Sequence, residues 1–478
     1  MKFLFVHSWQ GFCLAECYLR EAISNHCAIA THFQSLDIPG NGIPANDYLQ
    51  RIVFSWKPDI IGFSCHFWSI DNNIQASDWI KKTNPKTIIV LGGPQVNSIN
   101  SARIILESYS TVDYIIRGPG EESICKLFES IELNKSRHNV PGLSFRESGK
   151  IIHNEIINDS RWPKNLIFHQ GNTQLIEHLL PLNEISYETT KGCYSKCIYC
   201  YYPTEKFEIL DDERIFAELS FICNLRIKYL RICDTHFGGT KERAKKLLRH
   251  LSKINHGTEI KIYPNLHHID EEYIHLIKAS GAQITSIGIQ TTNSIALKKI
   301  NRQGLGQISS QIRLILKEFP EVPADLIVGL PGDNIKGLEK SFQDTLLFGF
   351  SSVNIFRLMV FPGTTLAENL SDFYNLNEIV LSSQGHLIYS PDFQLKDQKK
   401  ISNLIYALEI ICWILKIKTM TLSTDERAVK FMNLTKKLNS DQLIHIHKSL
   451  YYICHSKDEN QINRITERIK VTFKEYDI

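Results

Sequence analysis

The sequence predicts an α/β chain in three parts: an N-terminal doubly wound parallel sheet, a partial (β/α)6 barrel and a C-terminal helical part. Three observations carry this. Short apolar runs alternate with helix-period runs up to about residue 130, a second such series starts near Ile185, and after Pro391 only helix-period stripes remain. At roughly 150 residues per domain, 478 residues correspond to about three domains.

In the first part, compact apolar runs at 2–6, 59–64, 87–91 and 114–116 read as strands, and helices fall at 14–23, 72–82, from Ser101 onward and through Glu129. Gly92-Gly93-Pro94 and Gly118-Pro119-Gly120 close the last two strands. Glycine turns at strand C-termini mark the edge where an open parallel sheet binds its ligand. From Asn134 to Glu184 the periodicity weakens. Residues 143–146 and 151–153 flank a turn-rich 147–150 and suggest a hairpin, and Arg161-Trp162-Pro163 breaks any regular run. The second series has strand candidates at 185–189, 229–232, 259–263, 284–290, 325–329 and 352–356. Catalytic groups of such a barrel sit on the loops after its strands. Beyond Pro391 an apolar stripe of Leu404, Ala407, Leu408, Ile411 and Leu415 marks a helix. The expected division is 1–133, a connector at 134–184, 185–391 and 392–478.

Composition excludes several classes. With 43% hydrophobic and 22% charged residues the chain is globular, not disordered, collagen-like or coiled-coil. A net charge of +3 supplies no electrostatic drive toward nucleic acid or anionic membrane, so neither is an expected partner. The start shows no cleavable signal pattern and no apolar stretch reaches membrane-spanning length, so a cytoplasmic location is expected. Twelve Cys in a reducing compartment point to free thiols plus a metal site.

The sharpest signal is Lys191-Gly192-Cys193-Tyr194-Ser195-Lys196-Cys197-Ile198-Tyr199-Cys200, directly after the first strand of the second series. Three thiols at this spacing can curl around one cubic iron-sulfur cluster, each on a different iron, leaving one iron open to a substrate. A closed zinc site wants a fourth ligand, and no further Cys or His lies at finger-like spacing. Unliganded core cysteines are the other plain reading.

Cys193-x3-Cys197-x2-Cys200, with aromatic Tyr199 before the last Cys, resembles the loop of the radical S-adenosylmethionine (SAM) enzymes. The resemblance spans about residues 185–365. It implies a TIM-type partial barrel whose 4Fe-4S cluster, on Cys193, Cys197 and Cys200, binds SAM and cleaves it to a 5'-deoxyadenosyl radical. It also implies an external electron donor such as flavodoxin or ferredoxin, and places Tyr199 near the adenine. Asp234 stands where that family has a Gly-Gly-Glu segment for the SAM amino group; a turn cap is its other reading. Gln290, after Ile287-Gly288-Ile289, and Arg302 resemble polar contacts to the SAM ribose and carboxylate, although an Arg exposed on a helix is common. Ile327, within Asp325-Leu326-Ile327-Val328-Gly329, corresponds to an apolar residue against adenine, and Phe361-Pro362-Gly363-Thr364 to the segment at the adenine edge.

The N-terminal part resembles the Rossmann-like cobalamin-binding domains that precede many radical SAM barrels. The likeness rests on the loop His7-Ser8-Trp9-Gln10-Gly11, on Gly62-Phe63-Ser64-Cys65, on Gly92-Gly93-Pro94 and on Gly118-Pro119-Gly120-Glu121-Glu122. Gly92, Gly93, Gly118 and Glu121 are the implied cobalamin contacts, since glycine lets backbone approach a large ligand. A bare doubly wound sheet that binds a nucleotide, or nothing, is the alternative. The common Asp-x-His-x-x-Gly loop is absent, so cobalamin is expected without an axial histidine; His7 is the one rival and His66 a polar lining residue.

Together these features identify the chain as resembling cobalamin-dependent radical SAM enzymes. The implied reaction is methylation of an unactivated carbon through methylcobalamin and a 5'-deoxyadenosyl radical. Ring contraction, cyclisation or oxidative rearrangement without methyl transfer is the alternative, and a non-catalytic iron-sulfur or cobalamin sensor is the reading from another class. The substrate is expected to be a small molecule or a peptide. The C-terminal helices, with Trp413 and Tyr451-Tyr452, are expected to cover the barrel mouth.

Overall fold

A computed structural model describes residues 1–9, 11–157, 165–172, 183–202, 207–382, 385–416, 422–455, 464–465, 467, 469–471 and 473–474. Gln10, the expected break at Arg161-Trp162-Pro163 and the side chain of Tyr452 lie outside what is described.

The N-terminal sheet has seven strands in the order β2-β1-β3-β4-β5-β6-β7. Strands β1 (Lys2–His7), β2 (His32–Asp37), β3 (Ile60–Ser64), β4 (Ile88–Gly92) and β5 (Tyr114–Ile116) are parallel. The apolar runs of β1, β3 and β4 are buried because helices cover both faces of the sheet. Strand β2 escapes the apolar-run criterion, because as an edge strand reading His-Phe-Gln-Ser-Leu-Asp it buries little. The order 2-1-3-4-5 reverses between β1 and β3, and a crevice opens at the C-terminal ends of the strands there. The predicted hairpin forms as β6 (Leu143–Glu147) and β7 (Lys150–His153), and it pairs antiparallel with β5. It extends the N-terminal sheet and is no free connector.

The second series is a parallel half-barrel in two pieces. One piece joins β8 (Glu184–Tyr187), β11 (Tyr229–Ile232), β12 (Glu259–Ile262) and β13 (Ala282–Ile284); the other joins β14 (Ile287–Gln290), β15 (Ala324–Val328) and β16 (Val353–Arg357). A small antiparallel pair, β9 (Thr190–Lys191) and β10 (Glu208–Ile209), sits above β8. The fourth predicted strand is thus divided at Thr285-Ser286, its first half pairing with β12 and its second with β15.

Strand alternation sorts the barrel residues. Ile185, Tyr187, Leu230, Ile232, Ile260 and Ile262 are buried against the helices. The other face carries Glu184, Arg231, Lys261, Asp325 and Asn354, a polar inner wall in which Arg231 pairs with Glu184 at 3.0 Å and Asn354 donates to Asp325 at 2.8 Å.

The C-terminal helices Gln398–Lys416, Thr424–Lys437 and Ser440–His455 share one apolar core with the barrel. Phe431 packs edge-on to Phe342 of the helix Ile335–Leu347, with ring centroids 6.2 Å apart, and Arg427 donates to the Gly349 carbonyl at 3.0 Å. Contrary to expectation they line the outer flank next to β16 and do not cover the mouth. Their apolar stripe finds its partner on that last barrel helix, and Trp413 meets Tyr451 edge-on at 6.1 Å within the layer. Among the described residues no helix is long and apolar enough to cross a membrane.

Candidate active site

The three-cysteine loop leaves β9 at the C-terminal edge of the barrel. It is tied to segments that follow β11, β14 and β16. Thr235 Oγ1 donates to the Gly192 carbonyl at 3.1 Å, Ser195 Oγ meets His236 Nε2 at 2.9 Å, and Tyr194 stacks on His236 with centroids 4.4 Å apart. Asn301 Nδ2 donates to the Lys196 carbonyl at 2.9 Å, and Leu366 N to the Ile198 carbonyl at 2.9 Å. Thr235, His236 and Asn301 had no motif to announce them, since their function is to hold a loop that is distant in sequence.

All described cysteines are free. Cys193, Cys197 and Cys200 are close enough that burial, and then the charges of the other two, push the Cys200 thiol up. Among the described residues no three His, Cys, Asp or Glu side chains converge as ligands of a single ion. Zinc would need such convergence, whereas a cubic cluster takes each thiolate on a different iron. The residues present fit the cluster.

Four predicted neighbours gather around this loop. Arg302 Nη1 lies 3.7 Å from Cys197 Sγ and Nη2 donates to the Gly288 carbonyl at 2.5 Å, which places positive charge beside the thiols. Gln290 ends β14 at φ +66 after a register shift. A Cβ on Gly288 would lie 2.6 Å from Gln290 Nε2, so Gly288 provides the room its amide occupies. A non-glycine residue held at positive φ is a strain that clusters at functional sites. Tyr199 and Ile327 pack on the same small apolar cluster with Ile198, Leu330 and Leu358, a surface suited to one face of an adenine.

Asp234 does not join them. Its two oxygens accept from Thr189 N at 2.6 Å, Thr190 N at 3.1 Å, Thr189 Oγ1 at 2.5 Å and Gly238 N at 2.9 Å. Those four donors use the lone pairs of a carboxylate. Asp234 therefore anchors the start of the cysteine loop and has nothing left for an amino group, which is the turn-cap reading. Burial pushes its carboxyl above the ordinary range while these bonds oppose the rise.

At the C-terminal edge of the N-terminal sheet lies a cavity of about 280 Å³. Gly92, Gly93, Gly118 and Glu121, predicted from the turn motifs, all line it, with Phe5 and Tyr18. Gly93 sits at φ +103, and a Cβ there would lie 2.8 Å from the Cys65 carbonyl. Gly118 sits at φ +78 and would strike Ile156. A largely apolar slot with a glycine floor fits a flat heteroaromatic group.

His7 is buried between two carboxylates. Nε2 lies 3.2 Å from Glu16 and Nδ1 3.4 Å from Asp37. Burial alone would lower its pKa, but Asp37 and Glu16 outweigh burial and raise it from 6.5 to about 9. The charged ring offers no lone pair to a metal. His66 is lowered to about 4 by burial and then by the His7 charge; its neutral ring stacks on Trp68 at 4.4 Å. The His7 contribution to stability is complete below about pH 6.5 and lost as pH rises through 9. Chemical denaturation should show the N-terminal sheet losing on the order of 2 kcal/mol across that window, and His7→Gln should remove the dependence. A variant as pH-sensitive as the wild type would contradict this.

The two edges meet. Tyr201, next to Cys200, packs on Phe361 at 5.0 Å; Phe361 packs on Phe67, from the loop after β3, at 5.9 Å. Asn100 of the first part donates to Glu368 of the second at 3.2 Å. The Phe361-Pro362-Gly363-Thr364 segment thus bridges the cysteine loop and the N-terminal sheet.

Comparison with known proteins agrees with this layout. Residues 187–345 match the family model of the Radical SAM superfamily. An uncharacterized methyltransferase, PH0819, of Pyrococcus horikoshii is 21% identical over 334 residues, 67% of this chain and 71% of that protein. The radical SAM methyltransferase TsrM from Kitasatospora setae, solved with tryptophan substrate and a SAM analog, superposes with a TM-score of 0.65 at 14% identity, covering 87% of this chain and 89% of TsrM. The cobalamin-dependent SAM radical enzyme OxsB, solved with aqua-cobalamin and SAM, gives a TM-score of 0.68 at 16% identity over 98% of this chain and 75% of OxsB. Residues 187–345 form a radical SAM domain, the chain is a radical SAM enzyme, and its fold from the first sheet to the last helices is that of the cobalamin-dependent radical SAM enzymes.

Proposed function

We propose that this protein is a cobalamin-dependent radical SAM methyltransferase that methylates an unactivated carbon of a small polar substrate. The observation that carries the reading is the meeting of two sites. A glycine-floored cavity and a three-thiol loop open at C-terminal edges that touch through Phe67, Phe361 and Tyr201. When bound, the cluster supplies the electron that cleaves SAM, and cobalamin supplies a carrier for the methyl group.

The chain's own residues position these groups. Cys193, Cys197 and Cys200 hold the cluster, with Arg302 offsetting the thiolate charge. Tyr199 and Ile327 flank the adenine, while Gln290 and Arg302 supply polar contacts to SAM. Gly92, Gly93, Gly118 and Glu121 would seat the cobalamin, and His7, locked between Glu16 and Asp37, would not be available to it as a metal ligand. The polar inner wall of the barrel, including Asp325 with its neutral partners Ser286 and Asn354, suits a hydrogen-bonding substrate. An external one-electron donor supplies the reducing equivalent.

A second reading, rearrangement or cyclisation without methyl transfer, is kept because OxsB, which this chain matches over 98% of its length, is named a radical enzyme and not a methyltransferase. Product stoichiometry separates the two. In anaerobic turnover the methyltransferase should release S-adenosylhomocysteine and 5'-deoxyadenosine in about equal amounts that depend on substrate. Deuterium from the SAM methyl group should enter the product. Substrate-dependent 5'-deoxyadenosine without matching S-adenosylhomocysteine would move the assignment to the second reading, and a protein forming neither would be a sensor.

A further inference from the structure

Tyr18, on the helix Leu14–His26, faces the two halves of the molecule at once. Its ring lines the N-terminal cavity, and its hydroxyl donates to Glu188 Oε1 at 2.8 Å. Glu188 directly follows β8, so this bond ties the first sheet to the strand that leads into the cysteine loop. Lys191 Nζ stands 3.9 Å from the same Oε1 and 5.0 Å from the centroid of the Tyr18 ring. Lys191 is two residues before Cys193, and its neighbour Thr190 is pinned by Asp234. The three side chains close a triangle with one corner in the cavity wall and one at the root of the loop.

We propose that Tyr18, Glu188 and Lys191 are a positioning link through which filling of the N-terminal cavity steadies the cysteine loop. The proposal rests on the cobalamin reading above, with the cobalamin tail as the occupant. A ring packed on one side by an occupant keeps its hydroxyl on Glu188. The carboxylate then holds the Lys191 ammonium, and with it the backbone that enters Gly192-Cys193. Burial pushes the Glu188 carboxyl up, opposed by Lys191 and Tyr18, so removing the phenol hydroxyl leaves the carboxylate with Lys191 as its remaining support. Coupling between two sites is reciprocal: cobalamin should protect the cluster, and the cluster should tighten cobalamin, by the same factor.

The test uses full-length protein with the cluster reconstituted under anaerobic conditions. Iron retained after exposure to a chelator and desalting is measured by atomic emission, with and without saturating hydroxocobalamin. Cobalamin binding is measured separately by protein fluorescence quenching, on the same protein with its cluster loaded or stripped. Wild-type protein should hold its iron at equilibrium against about fivefold more chelator with cobalamin, and should bind cobalamin about fivefold more tightly with its cluster. Tyr18→Phe keeps the ring in the cavity wall, and Glu188→Gln lies outside the cavity. Both should lose the mutual effect, and Glu188→Gln should still bind cobalamin and cluster. If Tyr18→Phe also weakens cobalamin binding, Glu188→Gln decides alone. Protection that survives in Glu188→Gln overturns the link. Wild-type protein that binds hydroxocobalamin without gaining protection overturns the link alone, and wild-type protein that binds none overturns the cobalamin reading and the link together.

Discussion

Replacing Cys193, Cys197 or Cys200 by Ala is expected to abolish the iron-sulfur absorbance and to lower SAM cleavage on the order of 10³-fold or more. The reason is that each thiolate would hold a different iron, so two would not close the cluster. Cys233 is the informative control. It directly follows β11, the barrel strand that neighbours β8, its Sγ is directed at the Arg231 carbonyl at 3.8 Å, and burial pushes its thiol up to about 11. It is a poor thiolate donor, and Cys233→Ala should keep the brown cluster. Iron content after anaerobic reconstitution, read with the absorbance, checks both. A triple Cys→Ala protein that still holds four irons would remove the assignment of this loop.

The second large effect concerns the cavity. A Cβ on Gly92 would meet nothing closer than the Ile116 carbonyl at 3.8 Å, whereas one on Gly93 would lie 2.8 Å from the Cys65 carbonyl, at a φ of +103 that disfavours other residues. Gly92→Leu should therefore fold, changing stability by about 1 kcal/mol or less, while its side chain fills the slot and weakens cobalamin binding by about 100-fold. Its cluster and substrate-free SAM cleavage should persist. Gly93→Ala should instead destabilise the N-terminal sheet by about 3 kcal/mol. Denaturation midpoints and cobalamin retained after gel filtration distinguish the pair. Cobalamin bound as tightly by Gly92→Leu as by the wild type would show that this slot is not its seat.

Much of this was legible in one dimension because the chemistry is local. The thiol spacing lies within Cys193 to Cys200, and the glycine turns lie at strand ends whose apolar runs stand out. The positions of Arg302 beside Cys197, and of Tyr199 and Ile327 on one apolar cluster, agree with their order along the barrel. Asp234 shows the limit. A carboxylate after a barrel strand reads alike whether it faces a ligand or caps a loop, and only the four donors around it distinguish the two. Strand β2 went unseen because an edge strand needs no apolar run, and the 284–290 segment read as one strand because a change of pairing partner leaves no mark on period-2 alternation.

Sequence alone therefore determined the parallel sheet, the half-barrel and the cluster loop, since each follows from spacing and alternation over a few residues. Tertiary structure decided what joins them: the flank on which the C-terminal helices pack, the pairing of His7 with Glu16 and Asp37, and the bond from Tyr18 to Glu188. These contacts link residues far apart along the chain, and a helix face or a buried carboxylate carries no sign of its partner until burial selects one.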